Sequence, residues 1–465
     1  MATVDVVFSL DNTFIKKVDV DTLEQVQAKL DLAHKAFLNK NAWLKHHQRV
    51  EILNKLADLV LAEADDLALT ISKESGKPLV DAKVEVIRAV DTIKLSVKEM
   101  MHSFKGEEVP MGFSKSSENK LAFTTKEPIG VVLALSSFNH PLNMPMHQVA
   151  TAIAVGCPVI LKPASKTPLS AIRLVELIHK AGLPKEWCQF SLFDNTTSEI
   201  IISSNKIAFV SFIGSERVGW MLRNKMAKGT RYALEHGGNA AAIIDENIDN
   251  IDEVVASVVK GAYYHAGQVC ISTKRLFVHE KIYNTVVEKL TVAVKKLKVG
   301  DPTDINTEVG PLITDKEVDR IDTWVKEAVS EGAILATGGL KISSKLYSAT
   351  LLLEPSQKSK VSQFEPFGPV LSVYKYNDLA NAIDIVNSIN LPFQGAIFSN
   401  NLNVIMQAYK HIDAAAVVVN DHTAFRVDWM PFAGRRSAGV GSGGVADTMH
   451  EMLNYKMIII KSPAI

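Results

Sequence analysis

One cysteine of this chain stands in a setting that suits chemistry better than packing. Cys270 lies in the segment YYHAGQVCIS, between small and polar residues, whereas a structural thiol usually sits in an apolar run. A nucleophilic cysteine needs room for approach, a route to the thiolate and partner groups elsewhere in the chain. Cys157 in GCPVILKP and Cys188 in WCQFSLF lie in strand-like segments, and we interpret both as packing residues.

Two further segments carry groups that such a nucleophile needs. Asn139 in SSFNHPLN directly follows an apolar strand, where its amide can donate to a developing oxyanion. The alternative is a turn-forming Asn before a proline-containing loop. Glu235 in ALEHGG ends a strand before two glycines, which allow close backbone approach, and its carboxylate can act as a general base.

Other strand ends suit a phosphate or a ribose. Lys162 in LKPASKTP ends a strand just ahead of a helix start. In FIGSERVG, Gly214 and Ser215 offer backbone amides and a hydroxyl at a helix start, which suits a pyrophosphate. Glu365 and Phe367 stand beside turn residues in FEPFGPV.

The elements that must position these groups form two α/β regions. The first hundred residues are predicted to be mostly helical. One apolar helix face near the amino terminus is formed by residues at steps of three and four: Leu23, Val26, Leu30, Ala33 and Phe37. From about residue 129, short apolar strands alternate with helices, which predicts a parallel sheet with ligands at its carboxyl edge. Thr167 and Pro168 are the expected cap and first-turn residue of the helix LSAIRLVELIHKAG. A second α/β region follows residue 238, and YKMIIIKS predicts a terminal strand. We interpret GVGSGG (439–444) as a loop, because no strand precedes it.

Composition limits the function class. The 465 residues predict two or three domains, and 47% of them are hydrophobic. The 51 basic and 51 acidic residues cancel, which argues against a nucleic-acid partner. No apolar stretch approaches the length of a membrane span, and Asp5 and Asp11 do not fit a signal peptide. Three scattered cysteines form neither a disulfide framework nor a metal cluster, so we expect a cytoplasmic enzyme without metal.

Nine segments, in this order, resemble the NAD(P)-dependent aldehyde dehydrogenase superfamily: EPIGVV, SSFNHPLN, GCPVILKPASKTPLSA, FIGSERVG, LEHGGN, GQVCIS, GPLI, FEPFGPV and MPFAGRRSAG. The resemblance covers nearly the whole chain. It implies a Rossmann-like cofactor-binding domain (1–109 and 129–237) and an α/β catalytic domain (238–447). It also implies a small bridging β-sheet (110–128 and 448–465) that joins subunits into homodimers or homotetramers.

The resemblance also implies a mechanism. Cys270 corresponds to the nucleophile, which attacks an aldehyde to give a thiohemiacetal and then, after hydride transfer to the nicotinamide, a thioester. Asn139 and the backbone amide of Cys270 would hold the oxyanion. Glu235 matches the base that activates water to release the carboxylic acid.

The cofactor contacts follow from the same resemblance. Lys162 and Glu365 match the residues that hold the two riboses, Ser215 matches a pyrophosphate contact, and Phe367 matches a residue near the nicotinamide. Ser165 stands where many strictly NAD-dependent members have a Glu that repels a 2′-phosphate. A small hydroxyl there tolerates that phosphate, so we expect NADP to be accepted alongside NAD.

Substrate choice depends on the tunnel to the thiol. By position we expect the following side chains to line it: His140, Met144, His147 and Tyr264. Arg426 falls where many relatives place an aromatic or small residue, and its guanidinium can pair with an anionic group of the substrate. A salt bridge to Asp428 or Asp421 is an equal alternative. We expect a short anionic semialdehyde such as succinate semialdehyde.

Other functions remain open at this point. A general aliphatic or aromatic aldehyde dehydrogenase needs no anion anchor. A CoA-acylating dehydrogenase has no need of Glu235 as a water-activating base. A cysteine hydrolase pairing Cys270 with His265 leaves Asn139 and Glu235 without a shared purpose.

Overall fold

A computed structural model describes residues 2–465, whose strands form four sheets. The strands are β1 (Thr3–Val7), β2 (Phe14–Asp19), β3 (Glu108–Val109), β4 (Lys120–Pro128), β5 (Val131–Leu135), β6 (Val159–Lys162), β7 (Cys188–Phe190), β8 (Ile207–Ile213), β9 (Arg231–Glu235), β10 (Ala241–Ile244), β11 (Arg275–His279), β12 (Ile334–Thr337), β13 (Thr350–Leu353), β14 (Val370–Tyr376), β15 (Gln394–Phe398), β16 (Ala416–Val419), β17 (Gly439–Val440) and β18 (Leu453–Lys461).

The α-helices cover the sheets and connect their strands. They are α1 (Leu23–Leu38), α2 (His46–Ala62), α3 (Ala64–Ser75), α4 (Leu79–Ser103), α5 (Asn143–Val155), α6 (Leu169–Ala181), α7 (Asn195–Ile201), α8 (Glu216–Arg223), α9 (Ile251–Tyr263), α10 (Tyr283–Lys296), α11 (Asp315–Ser330), α12 (Lys360–Gln363), α13 (Leu379–Asn387), α14 (Leu402–His411) and α15 (Val445–Glu451).

Two sheets confirm the predicted α/β architecture. The first has the strand order β17-β9-β8-β5-β6-β7, and all its pairs are parallel except β17 with β9. The second has the order β12-β13-β14-β11-β10-β15-β16, with only β12 antiparallel. Their strands are nearly continuous apolar runs, because helices cover both faces of each sheet.

The chain begins with strands, which the helical interpretation missed. Strands β1 and β2 pair as an antiparallel hairpin ahead of α1. The predicted apolar face of α1 is confirmed, since Val26, Leu30 and Ala33 are buried in the core beside the first sheet.

The start of α6 differs from the prediction. Thr167 does not cap it, and its hydroxyl has no hydrogen-bond partner. The carboxylate of Glu74, which lies on α3, accepts the backbone N–H groups of Leu169 at 2.7 Å and Ser170 at 2.9 Å. A helix needs acceptors for its first N–H groups, and here a distant helix supplies them.

The glycine-rich segment at 439–444 is not simply a loop. Gly439 and Val440 form β17, which pairs with the end of β9 so that Gly439 lies opposite Glu235. The segment therefore adds an edge strand to the first sheet beside the candidate base.

A third sheet has the order β18-β4-β3, and β18 is the predicted terminal strand. Strand β18 pairs with β4 over nine residues and is exposed at every position after Leu453.

The carboxyl ends of β9, β8, β5 and β6 lie side by side in the first sheet, in that order. Glu235, Gly214, Asn139 and Lys162 stand at or just beyond these four ends. The parallel arrangement thus gathers residues from four separate segments at one edge, as expected.

Candidate active site

A cavity of about 550 Å³ opens at this edge of the first sheet and reaches Cys270. It brings together ten of the residues expected to do chemistry or bind: Asn139, His140, Met144, Gly214, Ser215, Glu235, Cys270, Glu365, Phe367 and Arg426. Four others do not line it: His147, Tyr264, Lys162 and Ser165.

Cys270 is presented by an unusual backbone turn. Helix α9 ends at Tyr263, and then His265 (φ 48°), Ala266 (φ 54°) and Gly267 (φ 70°) all adopt left-handed conformations. A Cβ on Gly267 would lie 2.2 Å from the carbonyl oxygen of Gly368, so only glycine fits there. Strained backbone of this kind concentrates at functional sites. Here it directs the chain into a tight loop that leaves Cys270 half-buried.

The Cys270 thiol is protonated at neutral pH in this state. Burial, together with the smaller effect of the nearby Glu365 carboxylate, raises its pKa to about 12. Lys274 and Arg426 act in the opposite direction. Attack by sulfur therefore requires a base or a change in the surrounding charge.

Lys274 links the nucleophile loop to Glu365. Its side chain is 2% exposed, and Nζ lies 3.0 Å from Oε1 of Glu365. The same Nζ donates to the carbonyl oxygens of Val269 at 2.8 Å and Cys270 at 3.1 Å. Lys274 thus fixes Glu365 beside the thiol and neutralises part of its charge.

The Asn139 amide is held in one orientation. Its Oδ1 accepts from the Ser137 hydroxyl at 2.8 Å, and its Nδ2 donates to the carbonyl of Gln268 at 2.9 Å. Since an amide nitrogen has two hydrogens, the second stays free to donate into the cavity. This geometry favours the oxyanion role over the simple turn interpretation.

Glu235 is a carboxylate with a raised pKa. Burial raises that pKa to about 7, while the positive charge of Arg426 lowers it. A Cβ on Gly443 would lie 2.1 Å from Oε1 of Glu235, so the glycine-rich segment lets the backbone pack directly on the carboxylate. A group with a pKa near 7 is well suited to general base catalysis at neutral pH.

Arg426 does not make the salt bridges proposed as the alternative. Asp428 is bound by Arg88, whose Nε and Nη2 donate at 2.9 and 2.7 Å, and by His147 Nε2 at 2.8 Å. Asp421 accepts from Ser257 and from the backbone N–H of His422.

Arg426 is left without a carboxylate partner among residues 2–465. Its Nη1 reaches only the carbonyl of Met430, at 3.5 Å, and its Nε has no partner. The guanidinium lies 4.0 Å from the centre of the Phe432 ring, on the wall of the cavity. Burial lowers its pKa to about 10, so it remains cationic at neutral pH.

Sequence reasoning missed Arg88, which also lines the cavity. It lies on α4, where the buried face carries Glu85, Thr92 and Ser96 at helical spacing. The polar residues on the otherwise apolar face of α4 could have indicated a buried polar cluster, because buried polar groups need hydrogen-bond partners. Their partners are distant in sequence, and Asp428 is 340 positions from Arg88.

His147 and Tyr264 form a layer behind the cavity wall. His147 is buried and binds Asp428, and the Tyr264 ring stacks on His140 with centroids 6.3 Å apart. Their expected place on the tunnel surface is therefore not observed. His265 is fully buried with no hydrogen-bond partner for either ring nitrogen and does not line the cavity, which leaves the hydrolase alternative without a positioned base.

The positions of four residues expected to bind a dinucleotide are consistent with that role. Gly214, Ser215, Glu365 and Phe367 all line the cavity. A Cβ on Gly237 would lie 1.7 Å from Oε2 of Glu365, so this glycine keeps the backbone beside that carboxylate open.

Lys162 and Ser165 lie outside the cavity, at the other end of this edge. Burial lowers the pKa of Lys162, and the nearby Asp194 opposes that shift. Asp194 caps α7 by accepting the Thr197 N–H at 2.7 Å. Ser165 and Lys166 are exposed.

Within residues 2–465, no group of three or more His, Cys, Asp and Glu side chains is arranged to hold a metal ion. Over the same residues, none of the helices has the length and apolar character needed to span a membrane.

Comparison with known proteins identifies the family. The model of the aldehyde dehydrogenase family matches residues 2–458. The 3-sulfolactaldehyde dehydrogenase of Priestia megaterium is 36% identical over 445 residues, which are 96% of this chain and 92% of that protein.

Two solved structures are similar over 99% of this chain. Aldehyde dehydrogenase 21 from Physcomitrella patens, in complex with its product succinate, has a TM-score of 0.95 and 34% identity over 95% of its own chain. The glyceraldehyde-3-phosphate dehydrogenase GapN from Methanocaldococcus jannaschii, complexed with NADP, has a TM-score of 0.93 and 33% identity over 99% of its chain. The chain belongs to the aldehyde dehydrogenase family, as its nine segments predicted, and is an NAD(P)-dependent aldehyde dehydrogenase.

Proposed function

We propose that this enzyme oxidises an aldehyde whose far end carries an anionic group, with succinate semialdehyde as the representative substrate. The observation that carries the proposal is the guanidinium of the partly buried Arg426, which lines the same cavity as Cys270. Its buried Nε has no hydrogen-bond partner, and it forms no salt bridge among residues 2–465. A cation that has lost part of its hydration and has no ion-pair partner is expected to take a counter-ion from its ligand.

The charges around the cavity support the same conclusion. Lys77 pairs with Glu85, and Arg88 pairs with Asp428. These two pairs cancel, whereas Arg426 forms no salt bridge and interacts with the Glu235 carboxylate only at longer range. The compounds named for the three proteins compared above carry a sulfonate, a phosphate or carboxylates, which supports an anionic substrate here. Other relatives are named for lactaldehyde, which is uncharged.

The proposed chemistry starts at Cys270. The thiol gives up its proton to a water molecule, the thiolate sulfur attacks the carbonyl carbon, and the carbonyl oxygen becomes an oxyanion. The free Nδ2 hydrogen of Asn139 and the backbone N–H of Cys270 donate to that oxygen. Ser137 and Gln268 hold the Asn139 amide in the orientation that makes this possible.

The proposed cofactor site uses the residues at the same edge. Gly214 and Ser215 would bind the pyrophosphate, Glu365 and Lys162 the two riboses, and Phe367 would pack near the nicotinamide. A nicotinamide cofactor held by these residues would supply the hydride acceptor for oxidation of the aldehyde. We assign residues 1–109 and 129–237 to this cofactor-binding domain and 238–447 to the catalytic domain.

Release of the acid is assigned to Glu235. Its carboxylate takes a proton from water, the water oxygen attacks the thioester carbon, and the carbon–sulfur bond breaks to return the Cys270 thiolate. A CoA-acylating enzyme has no need of this base. The reaction needs Cys270 as a reduced thiol, so we place the enzyme in the reducing cytoplasm.

Glu235 gives the first test. Because only the ionised carboxylate accepts a proton, kcat for an aldehyde is expected to rise with pH through about 7, provided hydrolysis limits turnover. Glu235→Gln should lower kcat by roughly 10²- to 10⁴-fold and abolish that rise. Stopped-flow and steady-state assays across pH measure both. A Glu235→Gln variant with unchanged kcat and an unchanged pH profile would remove Glu235 from the mechanism.

Arg426 gives the second test. Arg426→Met should lower kcat/KM for succinate semialdehyde roughly 10- to 100-fold and leave butanal much less affected, because it removes one charged hydrogen-bond partner. It should also shift the rise of kcat to higher pH, since Arg426 lowers the pKa of Glu235. Arg436→Met, which removes an exposed arginine paired with Asp413, is the matched control. Equal losses for the charged and the uncharged aldehyde would contradict the anion anchor.

Ser165 gives the third test. NADP is expected to support turnover alongside NAD, and Ser165→Glu should lower kcat/KM for NADP at least about tenfold by repulsion of the 2′-phosphate. Ser165→Gln, similar in size and uncharged, serves as the control. Turnover with NAD and none with NADP in the unaltered enzyme would make the interpretation of Ser165 wrong.

Subunit association is the fourth test. Strands β4 and β18 expose Leu121, Phe123, Met457, Ile458, Ile459 and Ile460. A free sheet edge with this much apolar surface favours pairing with a second copy. We therefore assign 110–128 and 448–465 to a bridging sheet and expect a homodimer or homotetramer. Sedimentation velocity should show that Ile459→Lys weakens the oligomer and that Leu340→Lys, at another exposed site, does not. A monomeric unaltered enzyme would contradict this.

A further inference from the structure

A fully buried ion pair lies directly behind His140. Lys77, in the turn between α3 and α4, forms a salt bridge with Glu85 of α4, and both side chains are 0% exposed. Oε1 of Glu85 also accepts the backbone N–H groups of Leu142 at 2.9 Å and Asn143 at 3.0 Å. Removing two charges from water is costly, and the pair is retained next to the loop that carries Asn139.

The pair fixes the proton on the His140 ring. Nζ of Lys77 lies 2.8 Å from Nδ1 of His140. An ammonium group can only donate hydrogen bonds, so Nδ1 must accept and the ring proton must be on Nε2. Burial and the positive charge of Lys77 lower the pKa of His140 to about 4, so the ring is neutral at physiological pH.

Glu85 completes the arrangement. Burial opposes its ionisation, but the positive charge of Lys77 holds its pKa well below the usual range. Its Oε2 lies 3.5 Å from Nδ1 of His140, farther away than Lys77. While Lys77 is present, the carboxylate pairs with the ammonium and the imidazole stays uncharged.

The other side of the ring faces the cavity. The titratable and charged groups around His140 are Lys77, Glu85, Arg88, Tyr264 and His265. Tyr264 is stacked on the ring, and Arg88 is bound to Asp428. Within residues 2–465, Nε2 of His140 makes no hydrogen bond, and His140 lines the same cavity as Cys270 and Arg426.

We propose that Lys77 and Glu85 are positioning residues that hold His140 as a neutral imidazole whose Nε2–H donates to an oxygen acceptor on the substrate. This inference rests on the proposed function and adds a second determinant of specificity. A donor with a fixed tautomer favours aldehydes that carry a hydroxyl or an anionic oxygen, and it disfavours those that present an ammonium group.

The tautomer is measured without any turnover. Long-range ¹H–¹⁵N spectra of the full chain labelled at histidine, with His140→Gln to assign the signal, should show Nε2 protonated and Nδ1 bare. The signal should not titrate between about pH 5.5 and about pH 8.5. A proton on Nδ1, or a titration in that range, would overturn the proposal. Because this measurement needs no aldehyde, it tests the tautomer of His140 even if the proposed substrate is wrong.

Removal of Lys77 tests whether its positive charge keeps His140 neutral. In Lys77→Met the buried Glu85 carboxylate loses its partner, so His140 should take a second proton and titrate between about pH 5.5 and about pH 8.5. The ratio of kcat/KM for succinate semialdehyde to that for butanal should then become dependent on pH over this range. The double variant Lys77→Met/Glu85→Gln removes both charges and should restore a ratio independent of pH. A single variant whose His140 does not titrate would overturn the role of Lys77.

His140→Phe keeps the buried ion pair intact and covers the case in which Lys77→Met does not fold. It should lower the preference for succinate semialdehyde over butanal about tenfold if the acceptor is a carboxylate. If the acceptor is a hydroxyl, the variant should lower the preference for lactaldehyde over propanal about tenfold. An unchanged preference in both pairs of substrates would show that Nε2–H does not contact the substrate and would overturn the proposal.

Discussion

Burial of charge is the constraint on which this active site depends. The cavity shields Cys270 and Glu235 from much of the surrounding water, and this burial raises the pKa of the thiol to about 12 and that of the carboxylate to about 7. The first shift makes the nucleophile inert until it is activated, and the second gives a base that works at neutral pH. Two ion pairs, Lys77–Glu85 behind the cavity wall and Arg88–Asp428 at it, are tolerated because each charge has a partner. Arg426 has none, and substrate choice is proposed to follow from that difference.

Glycines allow the backbone to pass close to the buried polar groups of the site. Gly443 lets the edge strand pack on Glu235, and Gly237 leaves room for Glu365. The left-handed turn before Cys270 depends on Gly267, which lies against the carbonyl of Gly368. Each of these positions places a polar side chain or a carbonyl where any Cβ would collide. The glycines therefore belong to the site as much as the side chains that they accommodate.

Much of this arrangement was predictable because it is local in sequence. Parallel strands bring their carboxyl ends to one edge, so Asn139, Gly214 and Glu235 could be grouped from their position after apolar runs. What was missed depends on distant partners. Glu74 caps α6 across 95 positions, and Arg88 meets Asp428 across 340. Pairing at such separations leaves no periodic signal, so the sequence left a salt bridge of Arg426 open as an equal alternative, and it placed His147 and Tyr264 on the tunnel surface, where the structure does not have them.

The central claim is that Cys270 carries the acyl group and Glu235 removes it. Intact-protein and peptide mass spectrometry of Glu235→Gln, incubated with succinate semialdehyde and NADP or NAD, tests this most directly. The account predicts an adduct with the mass of one succinyl group, located on Cys270, that accumulates in Glu235→Gln, is short-lived in the unaltered enzyme and is absent from Cys270→Ser. An adduct on another residue, or succinate formation by Cys270→Ser, would contradict it.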